Sequence, residues 1–80
     1  MAPTAITNSI RRLRFEHGEM TQQELAERVG VTRQTINAIE AGKYSPSLEV
    51  AFRMAGIFGV RVDDVFHYGG APQSPKDGVP

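Results

Sequence analysis

Apolar residues recur three and four positions apart along most of the chain, and short polar breaks divide this pattern into five segments. The spacing predicts helices over about residues 8–17, 21–29, 32–40, 47–58 and 62–67. No segment shows the sustained alternation of a half-buried strand, so the predicted fold is all-α, a bundle of five helices. The residues expected to face its core are Ile6, Ile10, Leu13, Met20, Leu25, Ala26, Val29, Val31, Ile36, Ala38, Ile39, Leu48, Ala51, Phe52, Ala55, Ile57, Phe58, Val62, Val65 and Phe66.

The clearest local signals lie between the second and third predicted helices. Thr21 begins the second helix in a T-x-x-E pattern with Glu24, which is typical of a capping box because each side chain bonds the other residue's backbone amide. Gly30 stands where a left-handed residue commonly ends a helix, and Thr32 can cap the third helix two residues later. The small side chain of Ala26 permits a close approach. Together these features predict two helices that cross steeply through a very short turn.

The length of 80 residues suffices for one domain, which the pattern places at residues 6–68. Residues 69–80 contain three prolines, three glycines and almost no apolar bulk, so we expect them to form a disordered tail. The chain has no cysteine for a disulfide, and no apolar run approaches the roughly 20 residues that a bilayer span requires. We therefore expect a cytoplasmic protein that makes no membrane contact.

Nine basic and nine acidic residues give the chain no net charge, whereas many nucleic-acid binders are strongly basic. The charges are nevertheless segregated, because Arg11, Arg12 and Arg14 precede the main acidic stretch, and a basic face can exist on a neutral protein. The two histidines, His17 and His67, lie far apart, and neither has a cluster with metal-ligand spacing nearby. No phosphate-binding loop or nucleophile motif is present. The sequence thus predicts no enzymatic activity, no metal and no cofactor.

Several motifs extend these signals into a family resemblance. They are Ile10-x-x-Leu13-Arg14, Met20-Thr21-Gln22-x-Glu24-Leu25-Ala26, Gly30-Val31-Thr32-Arg33-Gln34-Thr35-Ile36, Ile39-Glu40-x-Gly42-Lys43, Pro46-Ser47-Leu48, and Gly59-Val60 before Val65-Phe66. Over about residues 8–66 the chain resembles the Xre/Cro family of helix-turn-helix regulators, which includes the phage lambda-type repressors. The resemblance implies a lambda repressor-like fold in which helices 2 and 3 form the helix-turn-helix and the third helix enters the major groove of DNA.

The resemblance also implies roles for individual side chains. Those expected to contact bases are Arg33, Gln34, Thr35 and Asn37. Arginine and glutamine suit this role independently of family, because they can form bidentate pairs with guanine and adenine. Those expected to contact phosphates are Gln22, Thr32, Lys43, Tyr44 and Ser45. A partly buried ion pair between Arg14 and Glu40 is expected to join the first helix to the end of the third.

From these features we expect a transcriptional regulator that binds double-stranded DNA at an operator as a homodimer. The fourth and fifth helices are expected to form the dimer contact, with residues such as Phe58, Val60 or Phe66 near the two-fold axis. Two alternatives stay open. The chain could be the antitoxin of a toxin–antitoxin pair with the same fold, or a protein-interaction module without DNA binding, which a net charge of zero permits.

Overall fold

Five short helices and a two-stranded sheet make up residues 5–69, the part of the chain that the computed structural model describes. The elements in chain order are β1 (Ile6–Asn8), α1 (Ile10–Glu16), α2 (Gln22–Val29), α3 (Arg33–Glu40), α4 (Leu48–Phe58), α5 (Val62–Val65) and β2 (Phe66–Tyr68). β1 pairs antiparallel with β2, so that Ile6 lies opposite Tyr68 and Asn8 lies opposite Phe66. The sheet therefore joins the two ends of the helical domain.

The sheet corrects the prediction of an all-α fold. β1 lies partly where the first helix was predicted to begin, and β2 replaces the last turn of the predicted fifth helix. Strands of three residues are too short to show a repeating alternation, and their partners lie about 60 residues apart in sequence. The pairing extends to Gly69, whose amide donates to the Ala5 carbonyl oxygen at 2.9 Å, so this residue packs with the domain. The rest of the predicted tail, residues 70–80, lies outside the described residues.

The helix ends between α2 and α3 confirm the local predictions. The Thr21 hydroxyl accepts from the Glu24 amide at 3.0 Å, and the Glu24 carboxylate accepts from the Thr21 amide at 2.8 Å. Gly30 ends α2 in the left-handed region with φ 91°, which explains the glycine at this position. The Thr32 hydroxyl then accepts from the Thr35 amide at 3.1 Å and caps α3.

The hydrophobic core corrects the predicted orientation of α4. Leu48 and Phe52 were expected to face inward, but their side chains are 77% and 63% exposed. Met54 was not predicted and is fully buried. Apolar residues occur nearly all round this helix, so periodicity alone does not select its buried face. The buried core residues are Ile10, Leu13, Met20, Leu25, Ala26, Val29, Ile36, Ile39, Ala51, Met54, Ala55, Phe58 and Val65.

Two polar side chains fix α1 against other helices. Asn8 accepts from the Ile10 amide at 3.1 Å and donates to the Ile39 carbonyl oxygen at 3.0 Å, which joins the start of α1 to the end of α3. The His17 ring nitrogens lie 2.8 Å from the Leu13 carbonyl oxygen and 3.0 Å from that of Phe58, at the end of α4. Phe58 is the last residue of α4, where carbonyl groups lack intrahelical partners, so the His17 ring supplies a partner for its carbonyl oxygen. No helix within residues 5–69 is long and apolar enough to cross a bilayer.

Candidate nucleic-acid interface

The helices α2 and α3 pack through a shared apolar seam. Leu25, Ala26 and Val29 are buried on α2, and Ile36 and Ile39 are buried on α3. These spacings place the apolar residues of each helix on one side. The opposite side of α3 consequently faces solvent, and its first half carries polar side chains.

Three of the four side chains predicted to contact bases are exposed on α3. Arg33, Gln34 and Asn37 face solvent, whereas Thr35 is half-buried. The Thr35 hydroxyl lies 2.9 Å from the Thr32 hydroxyl, at the capped end of the helix. Within residues 5–69 the Gln34 side chain has no hydrogen-bond partner, so both its donor and its acceptor are available to a ligand. The structure thus presents Arg33, Gln34 and Asn37 more openly than Thr35.

Gln22, predicted as a phosphate contact, lies among the predicted base-contacting residues. Its amide nitrogen donates to Asn37 Oδ1 at 3.3 Å and to Glu40 Oε1 at 3.2 Å. Its carbonyl oxygen accepts from Arg33 Nη1 at 3.4 Å. Arg33, Asn37 and Glu40 are four and three residues apart, so they form one stripe of α3 that faces the start of α2. The sequence carried no signal for this arrangement, because it depends on the angle between the two helices.

Arg14 and Glu40 form an ion pair behind this surface. Arg14 Nε donates to Glu40 Oε2 at 2.7 Å and Nη2 donates to Oε1 at 3.1 Å, a bidentate geometry. The two side chains are only 13% and 11% exposed. Arg14 Nη1 also donates to the Met20 carbonyl oxygen at 2.8 Å, in the turn before α2. One guanidinium therefore holds α1, the start of α2 and the end of α3 in a fixed relation.

The remaining predicted phosphate contacts lie around α3. Thr32 is exposed at the start of the helix. Lys43 and Tyr44 are exposed in the turn after the helix, and Ser45 is half-buried there. The structure leaves Lys43 and Tyr44 accessible in this turn.

The distribution of ion pairs explains how a neutral chain can present a basic surface. In residues 5–69 four arginines are paired with carboxylates: Arg12 with Glu16, Arg14 with Glu40, Arg53 with Glu49 and Arg61 with Asp63. Those without a carboxylate partner in the same range are Arg11, Arg28, Arg33 and Lys43. Arg33 and Lys43 belong to the predicted interface, so two of these four uncompensated cations lie there despite the overall balance.

The histidines have structural contacts. His17 bridges α1 and α4 as described, and its ring packs edge-on against Phe58 with the ring centroids 5.2 Å apart. The His67 ring nitrogen lies 3.2 Å from the Ser9 hydroxyl. Among residues 5–69, no group of three or more histidine, aspartate or glutamate side chains is arranged to hold a metal ion.

Comparison with protein families agrees with this geometry. The family model described as helix-turn-helix matches residues 10–65, from the first residue of α1 to the last residue of α5. The chain belongs to the helix-turn-helix family. Its type is that of the Xre and lambda repressor-like domains, which are DNA-binding transcriptional regulators and not a class of enzymes.

Curated relatives of this helix-turn-helix protein are named as regulators. An uncharacterized HTH-type transcriptional regulator of Methanocaldococcus jannaschii is 51% identical over 61 residues, covering 76% of this chain and 91% of that protein. Another, of Methanothermobacter thermautotrophicus, is 59% identical over 58 residues, covering 71% of this chain and 83% of that protein. The cryptic phage CTXphi transcriptional repressor RstR of Vibrio cholerae is 36% identical over 59 residues, covering 74% of this chain and 52% of that protein.

Solved structures share the helix-turn-helix fold. A candidate DNA-binding protein from Bacteroides fragilis superposes with a TM-score of 0.67 at 24% identity, covering 78% of this chain and 98% of that chain. The hypothetical transcription factor NHTF from Neisseria gives a TM-score of 0.64 at 29% identity, covering 69% of this chain and 61% of that chain. The first likeness supports the fold alone. Both solved structures therefore share the overall fold of this chain.

Proposed function

We propose that this chain is a sequence-specific DNA-binding transcriptional regulator that acts at an operator, with α3 docked in the major groove. The observation that carries the proposal is the exposed polar half of α3, opposite the buried Ile36 and Ile39. A helix fits the major groove, where each base pair offers a distinct pattern of donors and acceptors. Arg33 and Gln34 are the first candidates for base contacts, and Asn37 is next.

The side chains around α3 suit contacts to the DNA backbone. Lys43 offers an ammonium group without a carboxylate partner in residues 5–69, and Thr32 offers an exposed cap. Gln22 lies at the start of α2, where backbone amides lack intrahelical partners. Contacts of this kind orient a protein on the duplex and carry no sequence information directly. We therefore assign specificity to α3 and orientation to the residues that flank it.

Binding titrations with cognate and scrambled duplexes at several salt concentrations test this division. The cognate duplex comes first from selection among random duplexes. Gln34→Ala is expected to weaken cognate binding by roughly 1–3 kcal/mol and to relax preference at one base pair. Lys43→Ala is expected to weaken binding to both duplexes and to lower the salt slope by about 0.9 per monomer, because one fewer phosphate is neutralised.

Gln22→Ala is the control for Lys43→Ala, because Gln22 is a proposed phosphate contact without a charge. Its loss is expected to weaken binding without changing the salt slope, because an uncharged side chain displaces no counterion. If Gln34→Ala and Lys43→Ala weaken both duplexes by the same factor, Gln34 does not contact bases. If no variant changes binding, the polar surface of α3 is only solvated and the protein-interaction alternative is favoured.

We also propose that the chain acts as a homodimer through the exposed side of α4 and the adjoining start of α5. Phe52 and Val60 line a shallow apolar groove there, and Leu48 is exposed one turn before Phe52. Phe58 cannot lie on the two-fold axis as expected, because it is 3% exposed and packs in the core. Large apolar side chains that are exposed next to one another are typical of interaction surfaces, whereas single ones are common on any protein surface.

The charges beside this groove do not oppose a second copy of the chain as its occupant. The ion pairs Glu49–Arg53, at 2.6 Å, and Arg61–Asp63, at 3.2 Å, lie beside the apolar residues. Each pair is neutral, so two copies related by a two-fold axis meet without like-charge repulsion. The charges therefore permit the self-association that the apolar residues favour.

Analytical ultracentrifugation tests the dimer directly. The wild-type chain is expected to show a concentration-dependent mass that reaches twice the monomer value. Phe52→Glu should return it to a monomer, because the carboxylate would have to be desolvated in the contact. Phe15→Glu is the control, since Phe15 is 67% exposed on α1, outside this surface. The dimer is contradicted if the wild-type chain has the monomer mass at all concentrations and binds a symmetric duplex with one chain per duplex.

A further inference from the structure

An open cleft lies beside the proposed DNA-binding surface. Its volume is about 1010 Å³, and its walls come from α1, the start of α2 and the second half of α3. Gln22 and Asn37 line the cleft and also belong to the proposed interface. On the α1 side the walls are formed by Arg11, Arg12 and Phe15. The cleft is therefore continuous with the surface that α3 presents to DNA.

The charges in the cleft do not cancel. Arg14 is neutralised by Glu40 at 2.7 Å, and Arg12 pairs with Glu16 at 3.4 Å. Arg11 is exposed, and within residues 5–69 its side chain has no ion pair or hydrogen bond. A guanidinium group is always charged and carries donors in a fork that matches phosphate oxygens. The cleft thus holds one uncompensated cation suited to an anionic ligand.

We propose that Arg11 binds the sugar–phosphate backbone of the same duplex, beyond the segment that α3 contacts. The inference rests on the proposed function. DNA carries one negative charge per roughly 1.7 Å of helix axis, so a backbone that crosses the start of α2 brings further phosphates close to the adjoining cleft. Arg11 stands at an unspecified position of the family motif Ile10-x-x-Leu13-Arg14, and the sequence predicted no contact for it beyond its place in a basic stretch.

Phe15 forms the apolar part of the same wall. It lies four residues after Arg11, so the two side chains share one face of α1. Phe15 is 67% exposed although it is a large apolar residue. Because the deoxyribose rings between phosphates offer apolar surface, Phe15 can pack against sugar while Arg11 bonds phosphate. This pairing assigns the cleft to a sugar–phosphate strand, a ligand with both kinds of surface.

The test measures the salt dependence of binding to cognate and scrambled duplexes for Arg11→Gln. This variant is expected to lower the salt slope by about 0.9 per monomer on both duplexes. Its affinity deficit relative to wild type should therefore shrink about 3.5-fold per monomer between about 50 and about 200 mM salt. Phe15→Ala is expected to weaken binding to both duplexes and to keep the wild-type slope. Both side chains are exposed, so unfolding curves should stay close to wild type.

Arg28→Gln is the matched control. Arg28 is also an exposed helical arginine without a carboxylate partner in residues 5–69, and it does not line the cleft. If Arg11→Gln and Arg28→Gln change the slope equally, the effect is one of net charge and the proposal is wrong. If Phe15→Ala binds DNA with the wild-type affinity, the proposed contact between Phe15 and the sugar is wrong.

Failure of this inference differs from failure of the proposed function. If Gln34→Ala and Lys43→Ala behave as expected while Arg11→Gln retains the wild-type slope, only the role of Arg11 is refuted. If the wild-type chain binds no duplex from the random selection, the proposed function and the role of Arg11 fail together.

Discussion

Replacing Arg14 by methionine probes the ion pair that holds α1 to the helix-turn-helix. Arg14→Met keeps the length of the apolar stem and removes the guanidinium. Glu40 then loses both bonds from Arg14, at 2.7 and 3.1 Å, and keeps only the bond from Gln22 at 3.2 Å. The Met20 carbonyl oxygen loses its donor at 2.8 Å. The variant therefore leaves a carboxylate in a partly buried site with one weak neutral partner.

The expected cost is large for a domain of this size. Both side chains are nearly buried, at 13% and 11% exposure, and breaking a buried pair by removing one partner costs about 3–5 kcal/mol. A stability of about 0.05–0.15 kcal/mol per residue gives roughly 3–10 kcal/mol for about 65 folded residues. The single variant is consequently expected to lose much of its stability and to populate the unfolded state.

Urea unfolding followed by far-ultraviolet circular dichroism measures this loss. Arg14→Met combined with Glu40→Leu is expected to recover most of the stability, because no charge is then left unpaired. Arg12→Met is the matched control on the same helix. Its pair with Glu16 is exposed, at 62% and 53%, so solvent screening should limit the change to less than about 1 kcal/mol.

Two results would refute this reasoning. If Arg14→Met changes the free energy of unfolding no more than Arg12→Met does, solvent screens the buried pair as well. If the double variant is no more stable than Arg14→Met, the cost does not come from the stranded Glu40 carboxylate.

Three further predictions concern the stability of the fold. Gly30→Ala is expected to lower the free energy of unfolding by about 1–2 kcal/mol, because φ is 91° there. Gly56→Ala lies inside α4 with no atom within 4 Å of the added methyl group, so it is expected to raise the free energy of unfolding by about 0.4–1 kcal/mol. Thermal unfolding of the two variants shows whether the changes have opposite signs. Asn8→Ala is expected to cost about 1–3 kcal/mol in urea unfolding, since the Ile10 amide loses its acceptor at 3.1 Å and the Ile39 carbonyl oxygen loses one of its two donors, at 3.0 Å. An unchanged midpoint would show that water replaces these bonds. His17→Ala should cost about 1 kcal/mol by losing the contacts to Phe58, and the exposed His67→Ala, measured in parallel, should cost less.

Features of the chain that depend on near neighbours could be predicted from the sequence. The capping box of Thr21 and Glu24, the left-handed Gly30 and the cap at Thr32 each involve residues no more than four apart. The burial of Ile36 and Ile39 and the exposure of Arg33 follow from the helical period alone. These features were enough to predict the helix-turn-helix and the polar surface of α3. Helical backbone geometry fixes the relation between such near neighbours independently of the rest of the chain.

Features that join distant segments were decided by the tertiary structure. The strands β1 and β2 pair across about 60 residues, and three residues are too few to show their period. Apolar residues lie on several sides of α4, so the sequence does not determine which side is buried. In the structure, packing buries Met54 and exposes Phe52. Gln22 contacts Arg33 only because α2 and α3 cross at one particular angle. That angle is set by the packing of the whole core, so no short stretch of sequence contains it.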